Sequence, residues 1–195
     1  LDSSAGAFGT EIKTAPKGSV IVASHMGGWD MAIRFFTQLS TGKKMMAIMF
    51  GIANQYQHHS AEGNSAQAEI VHFNENKNTI LRMKDHLSRG EVVTAMGDRP
   101  VSRSCELMPF FGKLALFDTT SIRLALACGS RIHFVFALKE GLKTYRIITM
   151  SPPPPPLDLA DKNLQIKHYL NSYINCLESC VRRYPEQWFN FFPFW

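Results

Sequence analysis

The amino-acid sequence predicts an α/β fold with a mostly parallel central sheet flanked by helices. The 195 residues are 45% hydrophobic and 19% charged, as in one globular domain of ordinary size. Short apolar runs bounded by glycine or polar residues alternate with segments of helical spacing. Because strand–helix–strand units place their strands side by side in one direction, this alternation favours a parallel sheet.

Five apolar runs are predicted strands, and they cover 19–24, 44–50, 91–96, 131–139 and 144–150. Three segments between these runs have helical spacing and cover 29–39, 75–89 and 118–128. Asp118 or Thr119 can cap the third helix, and Gly129 can end it. The pattern therefore sets both ends of that helix.

The C-terminal part begins with the proline-rich stretch 151–157, which we expect to form an extended connector. A ligand for an SH3-type domain is the alternative use of such a stretch. Residues 159–184 predict a long amphipathic helix that ends before Pro185. Its apolar face consists of Ile166, Leu170, Tyr173, Ile174, Leu177 and Val181. The aromatic-rich tail 185–195 must be buried against the domain or pressed to a membrane interface.

Charge and cysteine content limit the classes of partner. The net charge of +5 favours anionic partners, but no Lys/Arg block indicates nucleic acid. The four cysteines form no CxxC pair, so neither a zinc knuckle nor a disulfide framework is predicted. No apolar stretch reaches the ~18 residues of a membrane span. We expect residues 1–195 to form one domain, with an N-terminal segment missing because the chain starts at Leu1.

The stretch "SHMGGWD" (24–30) joins a predicted strand to a predicted helix. It places His25 at the carboxyl edge of the sheet, where open α/β folds bind their ligands. Asp30 falls in the first helical turn, and the glycines allow a turn tight enough for its carboxylate to approach the imidazole. A carboxylate that holds one ring nitrogen leaves the other free to act as a base. A strand-to-helix turn without chemistry is the alternative.

Four stretches carry a resemblance to a known family: "SHMGGWD" (24–30), "GDRP" (97–100), "PFFGKLALFDTTSIRLALACGSRIHFVF" (109–136) and "YPEQWFNFF" (184–192). In this order they resemble the lysophospholipid acyltransferase superfamily, most closely its branch of late acyltransferases of lipid A biosynthesis, the lauroyl and myristoyl transferases. The resemblance covers roughly 18–195. It implies the fold of that superfamily, with its H-x4-D motif.

The resemblance also implies an activity and its residues. A fatty acyl chain would pass from a thioester of acyl carrier protein or coenzyme A to a hydroxyl or amine of a lipid-type acceptor, without a cofactor or metal. His25 would be the general base and Asp30 its orienting partner. Backbone amides at Gly27 and Gly28 are candidate donors to the tetrahedral oxyanion. The protein would work peripherally at the cytoplasmic face of the inner membrane.

Basic residues around the third stretch are further candidates for substrate binding. Asp98 and Arg99 lie together at a strand end, and Arg103, Lys113 and Arg123 follow. Their cations can meet a phosphate of the acceptor or of the carrier's phosphopantetheine arm, or they form a solvated, salt-bridged face. Arg99 stands where the family usually has Gln, and 51–73 contains no arginine. The acceptor, the donor and the acyl length therefore stay open, as do a thioesterase and a non-catalytic lipid or carrier-protein binding module.

Two further groups of residues have simpler explanations. His58, His59 and His72 lack the Cys, Asp or Glu that would complete a metal site at a familiar spacing. An apolar cleft for the acyl chain can be lined by Met45, Met46, Met49, Phe110, Phe111 and Phe117, although ordinary core packing is the favoured explanation for each of them.

Overall fold

A computed structural model describes residues 3–39, 41–50, 68–73, 77–142 and 144–195. The helices are α1 (Ser3–Lys13), α2 (Trp29–Gln38), α3 (Lys77–Ser88), α4 (Thr120–Cys128) and α5 (Lys162–Arg183). The strands are β1 (Ser19–Gly27), β2 (Met45–Phe50), β3 (Ala68–Phe73), β4 (Val92–Met96), β5 (Cys105–Phe110), β6 (Lys113–Asp118), β7 (Arg131–Lys139) and β8 (Tyr145–Met150). A short 3-10 helix covers Pro185–Gln187.

Six strands form one sheet in the order β3-β2-β4-β1-β7-β8. Every neighbouring pair is parallel except β7 and β8, so the predicted mostly parallel sheet is confirmed. Strand β1 lies between β4 and β7, and Ala23 pairs with Met96 at the carboxyl ends of β1 and β4. His25 and Asp98 follow these paired residues by two positions each. The topology thus brings two distant parts of the sequence to one sheet edge.

Helices cover both faces of the sheet because β1 is apolar on both sides. Val20 and Val22 pack in a large core with side chains of α3, α4 and α5. Ile21 belongs to a second core with Phe8 of α1 and Phe35 of α2. This continuous burial is the expected property of a parallel strand with helices on both sides. No helix in the described ranges is long and apolar enough to cross a bilayer.

The predicted helix ends are close to the observed ones. Gly129 ends α4 with a φ of 65°, which glycine adopts without strain. The Asp118 carboxylate accepts from the Thr120 amide at 2.8 Å and so satisfies the start of α4. Asp161 caps α5 by accepting from the amides of Asn163 and Leu164. All six residues of the predicted apolar face of α5 are buried.

Several elements were not predicted from the sequence. The strands β5 and β6 form a separate two-stranded antiparallel hairpin. Its turn residues Phe111 and Gly112 both have positive φ, at 49° and 78°, as tight hairpin turns require. A phenylalanine is unusual in that conformation, which is why the turn is hard to see in the sequence. The elements α1 and β3 were missed as well, whereas 151–156 contains neither helix nor strand, as expected.

Candidate active site

Strand β1 bulges where it carries the histidine. Ala23 pairs with Val135 and Gly27 pairs with Ala137, so β1 advances by four residues over a stretch in which β7 advances by two. A bulge re-aims the side chains that it contains. Here it holds Ser24, His25 and Met26, and Met26 is fully buried while the His25 side chain is 22% exposed. The predicted strand end at Ser24 was therefore three residues too early, because the irregular part of the strand does not alternate.

His25 is held at two points by one carboxylate. Its ring Nδ1 lies 2.8 Å from Oδ1 of Asp98, and its backbone N–H donates to Oδ2 at 2.9 Å. A carboxylate that is ionised only accepts hydrogen bonds, so Nδ1 carries the proton and Nε2 keeps its lone pair. Nε2 has no hydrogen-bond partner among the described residues. This is the arrangement that a general base needs.

Asp98 is completely buried, and its third donor is the indole of Trp188. The Trp188 Nε1–H donates to Oδ2 at 3.1 Å. Burying a carboxylate in an apolar core is costly unless its oxygens are hydrogen-bonded, and these three bonds meet that requirement. The oxygens of Asp98 are thereby fixed in the positions from which they hold His25.

Tyr173 supports the strand that leads to the histidine. Its hydroxyl donates to the Ala23 carbonyl at 2.8 Å, and its ring is fully buried between Phe134 and Phe136. Burial, together with the negative charge of Asp98, raises the pKa of Tyr173 well above its ordinary value. The hydroxyl is therefore a permanent donor to the end of β1.

The tail residues "PEQWF" close the site from one side. Gln187 binds the backbone of Lys139 twice, since its Oε1 accepts from the amide and its Nε2 donates to the carbonyl, both at 2.8 Å. Trp188 reaches Asp98, and the Phe189 amide donates to the His25 carbonyl at 2.9 Å. The aromatic tail is thus partly docked on the sheet edge, and Phe191 remains 88% exposed.

The two glycines after Met26 let the backbone pack closely against its neighbours, which matters more here than their amides as hydrogen-bond donors. Gly27 has a φ of 57°, and a Cβ there would lie 2.1 Å from the Ala137 carbonyl oxygen. A Cβ at Gly28 would lie 2.5 Å from the Tyr145 ring. The Gly28 amide already donates to the Ala137 carbonyl at 2.9 Å, so it is not available to an oxyanion in this arrangement. The role predicted for the Gly27 amide stays a prediction.

The Asp30 backbone lies in the first turn of α2, as the sequence predicted. Its side chain lies outside the described part, so its predicted contact with the imidazole stays a prediction. The carboxylate found at Nδ1 of His25 is that of Asp98. The sequence indicated Asp98 only as a substrate-binding residue; the pairing of β1 with β4, which no local motif records, brings it to the ring.

The predicted basic residues are distributed over separate places. Arg99 donates to the Phe189 carbonyl at 2.7 Å and lies 5.7 Å from the Phe192 ring centroid, so it borders the His25 network. Arg123 instead bonds Thr119 and pairs with Glu106, and the structure does not bring it into that network. Arg103 has an exposed side chain in the loop between β4 and β5.

An apolar cavity lies between the sheet and the helices α1 and α2. It is a narrow space with a cavity volume of about 40 Å³. Met45 and Met49 line it as predicted, together with Ala47 and with Ala23 and Met96, which lie two residues before His25 and Asp98. Met46, Phe110 and Phe117 are instead core residues on the opposite face of the sheet, and Phe111 packs against that core, so the favoured alternative of ordinary core packing holds for these four.

Two further polar side chains were missed in the sequence. The amide of Asn190 has neither its nitrogen nor its oxygen bonded, although both atoms are buried. Ser24, beside His25, also has a buried and unbonded hydroxyl. Buried polar atoms without partners are rare and often mark positions where a ligand binds. Nothing in the local sequence distinguishes Asn190 from any polar residue in an aromatic tail.

No group of three His, Cys, Asp or Glu in the described part of the chain could hold a metal ion. His58 and His59 lie outside the described residues. The cysteines are free, and burial raises the pKa of the Cys180 thiol to about 11. A thiol that stays protonated at neutral pH is a poor nucleophile, so the chemistry of the site centres on His25.

Comparison with known proteins gives one match that spans nearly the whole chain. A family model described as "Bacterial lipid A biosynthesis acyltransferase" matches residues 10–195. The match includes His25, Asp98 and Trp188, which the structure joins in one hydrogen-bond network. No individually curated protein matches the chain significantly.

Proposed function

Because the chain belongs to the family of bacterial lipid A biosynthesis acyltransferases, we propose that it moves a fatty acyl chain from a thioester to a hydroxyl or amine of a lipid-type acceptor. The observation that carries this proposal is the bond between Nδ1 of His25 and Asp98, which leaves Nε2 as a base at the sheet edge. The donor is acyl carrier protein or coenzyme A. The basic net charge of +5 favours the acidic carrier protein, because complementary charge speeds encounter.

The proposed reaction is a direct transfer. The acceptor oxygen or nitrogen attacks the thioester carbonyl while Nε2 of His25 takes its proton, and a tetrahedral intermediate forms. The carbon–sulfur bond then breaks, and the imidazolium returns the proton to the leaving thiolate. Asp98 stabilises the transient positive charge on the ring from a buried position. No covalent acyl-enzyme is needed, and every proton that leaves the acceptor ends on the thiol.

The oxyanion needs donors other than the Gly28 amide. We propose the amides of Trp29 and Asp30, the first two of α2, since the start of a helix leaves such amides without intrahelical acceptors and the helix dipole favours negative charge there. The next amide, of Met31, donates to the Gly28 carbonyl at 2.8 Å. Gly28 directly precedes α2, and His25 lies three residues before it. Asp30 sits in that same turn, and its proposed role is to orient the imidazole or the acceptor from the open side of the site.

Two spaces are lined by residues two positions from His25, Ala23 in one and Gly27 in the other, and they suit the two halves of a lipid substrate. The apolar cavity lined by Ala23 and Met96 is the proposed place of the acyl chain. An open hollow with polar groups, formed by Gly27, Gly28, Lys139, Tyr145 and Gln187, is the proposed place of the acceptor's polar part or the donor's pantetheine arm. Arg99, beside Phe189 at the border of this hollow, is the proposed contact to a phosphate.

The test is thiol release from acyl carrier protein and acyl coenzyme A in the presence of extracted bacterial lipids, with labelled products separated afterwards. His25→Ala should abolish acylated lipid, because no other side chain in the described site offers a base at that position. His168→Ala is the matched control, since His168 lies on α5 and bonds the Pro153 carbonyl. Unchanged turnover in His25→Ala would exclude the proposed mechanism.

The same assay separates the remaining outcomes. Release of free fatty acid without acylated lipid, whichever acceptor is added, indicates a thioesterase. Binding of acyl carrier protein without any turnover indicates a non-catalytic module of this fold. We further propose that the protein acts peripherally at the cytoplasmic face of the inner membrane, where a lipid acceptor and a soluble donor meet.

A further inference from the structure

The β5–β6 hairpin exposes an unusual apolar surface. Its cross-strand pairs place Leu107 opposite Leu116, and Pro109 opposite Leu114, on one face. Leu107 is 58% exposed, Leu116 is 42% exposed and Leu114 is 61% exposed. We call these four residues the leucine face. The opposite face, formed by Met108, Phe110, Ala115 and Phe117, is at most 5% exposed and packs into the main core.

This pattern differs from that of an ordinary surface hairpin. A strand with one buried face normally alternates apolar with polar residues, so that its outer face is solvated. Here the outer positions are apolar as well, although packing inside the domain does not require them. Clustered exposed apolar side chains mark a surface that contacts another molecule or a membrane.

The turn and the C-terminal tail extend the leucine face with an aromatic ring and a cation. Trp195 is 54% exposed, and its Nε1–H donates to the Phe110 carbonyl at 3.2 Å. The ammonium of Lys113, at the turn, lies 5.8 Å from the Trp195 ring centroid. A tryptophan with its N–H satisfied and its ring exposed is typical of the boundary between water and lipid.

The acidic residues of the hairpin do not oppose an anionic surface. Between 103 and 118 there are two, Glu106 and Asp118. Glu106 is paired with Arg123 and Lys167, and Asp118 is buried and bonds the amides of Ser102 and Thr120. The exposed cation at the turn of the hairpin is Lys113.

We propose that the leucine face, with Trp195 and Lys113, is the surface by which the protein docks on a bilayer that contains anionic lipids. The leucines enter the acyl region, the Trp195 indole lies at the boundary between water and lipid, and the Lys113 ammonium meets the headgroups. A folded acidic protein would offer carboxylates for the cation, but it would cover the leucines only where it has an apolar patch of its own. The cation at the turn and the three exposed leucines together favour a bilayer with anionic headgroups.

The hairpin that carries the leucine face also contacts the His25 network. The Phe110 ring, at the end of β5, lies 5.3 Å from the Trp188 ring in an edge contact. Trp188 in turn donates to Asp98. The buried face of the hairpin, opposite the leucine face, is therefore joined to the His25 network through two aromatic rings. Only this link to catalysis depends on the proposed function, whereas docking itself does not.

The experiment is co-sedimentation of the whole chain with vesicles of phosphatidylcholine alone and of phosphatidylcholine with phosphatidylglycerol. The triple variant Leu107→Gln/Leu114→Gln/Leu116→Gln should lower the partition coefficient by at least about tenfold, because three apolar side chains no longer enter hydrocarbon. The matched control is Leu81→Gln/Leu142→Gln/Leu157→Gln, whose leucines are 59%, 95% and 106% exposed elsewhere. It should bind like the parent chain.

Lys113→Gln should bind neutral vesicles like the parent chain but lose part of the gain from phosphatidylglycerol. Far-UV circular dichroism and thermal melting check that the exposed substitutions leave the fold intact. Equal vesicle binding by the leucine variant and its parent overturns the proposal. So does a parent chain that ignores vesicles and instead dimerises, or binds acyl carrier protein, through the leucine face.

Activity is measured separately with detergent-dispersed acceptor, which needs no vesicle. If turnover fails there while vesicle binding persists and depends on the leucines, the proposed enzyme is wrong and the docking surface stands. If turnover persists while vesicle binding does not depend on the leucines, the docking surface is wrong and the enzyme stands.

Discussion

Asp98 holds His25 through both of its carboxylate oxygens. Its Oδ1 lies 2.8 Å from the ring Nδ1 of His25, and its Oδ2 accepts from the His25 backbone N–H at 2.9 Å. The two residues come from neighbouring parallel strands, β1 and β4, and Asp98 is completely buried. A ring that is fixed relative to its own backbone has little freedom to turn Nε2 away from a substrate. Catalysis in the proposed reaction depends on this double attachment.

Asp98→Asn should lower turnover by roughly 10²- to 10⁴-fold. The asparagine amide either points its N–H at the Nδ1–H of His25 or forces the ring proton onto Nε2, where the base is needed. The measurement is the rate of thiol release at saturating donor, alongside circular dichroism of the variant. Asp30→Asn is the informative comparison. If Asp30→Asn abolishes turnover and Asp98→Asn does not, the orienting carboxylate is Asp30.

Trp188→Phe removes one donor from the buried carboxylate and keeps an aromatic ring against Phe110. Loss of a hydrogen bond to a buried charged group costs about 1–3 kcal/mol. We expect a lower urea midpoint and a turnover reduced by at least about tenfold. Phe191→Leu, at an 88% exposed position of the same tail, should change neither the midpoint nor the turnover. Equal behaviour of the two variants would contradict the role given to the indole.

Gly97→Ala should damage the site by crowding rather than by removing a chemical group. A Cβ at Gly97 would lie 2.5 Å from Cγ1 of Val22 and 3.2 Å from the Tyr173 ring. Overpacking of this kind costs about 1–3 kcal/mol, and the strain falls on the residue that precedes Asp98. We expect lower stability and a loss of turnover. Gly6→Ala, in helix α1, where a Cβ meets nothing within 4 Å and φ is not positive, controls for the general effect of an added methyl group.

Ala47→Leu should shift acyl selectivity toward shorter chains, because Ala47 lines the apolar cavity proposed for the acyl group. The readout is the relative kcat/KM for donors of increasing chain length. Met46→Leu, on the opposite face of the same strand, conserves volume in the main core and should leave the order of preference unchanged. An unaltered preference in Ala47→Leu would place the acyl chain elsewhere.

Stability should decrease below pH 6.5 because of His133. Its side chain is 1% exposed between Ser19 and Ser151, and burial lowers its pKa from 6.5 to about 4. Between these values the unfolded chain binds the proton and the folded chain does not, so stability falls as the pH falls. The free energy of unfolding in urea should be about 2 kcal/mol lower at pH 5 than at pH 7.5 from this group.

His133→Asn should flatten that dependence without removing it, since burial also lowers the pKa of His86. His168→Asn, on a partly exposed surface of α5, is the matched control and should keep the parent dependence. If His133→Asn retains the whole pH dependence, His133 is not the responsible group.

The sequence pattern was sufficient for the parallel strands other than β3 and for the helices other than α1, because buried strands and amphipathic helices record their surroundings locally. His25 could be found in the same way, since a strand end followed by glycines is a local signal. The contact with Asp98 could not, because it depends on which strand becomes the neighbour of β1. The contact of the Trp188 indole with Asp98 and the bulge in β1 could not be predicted for the same reason, because both arise from pairing between remote segments.

The bonds of Gln187 and Trp188 also have a consequence for protein synthesis. A nascent chain carries His25 and Asp98 long before it carries the residues that fix them. Until position 188 has left the ribosome, the carboxylate lacks its indole donor and the edge of β7 lacks the glutamine that clamps it. Competence for the proposed acyl transfer would therefore arise only once Trp188 has been translated, 90 positions after Asp98.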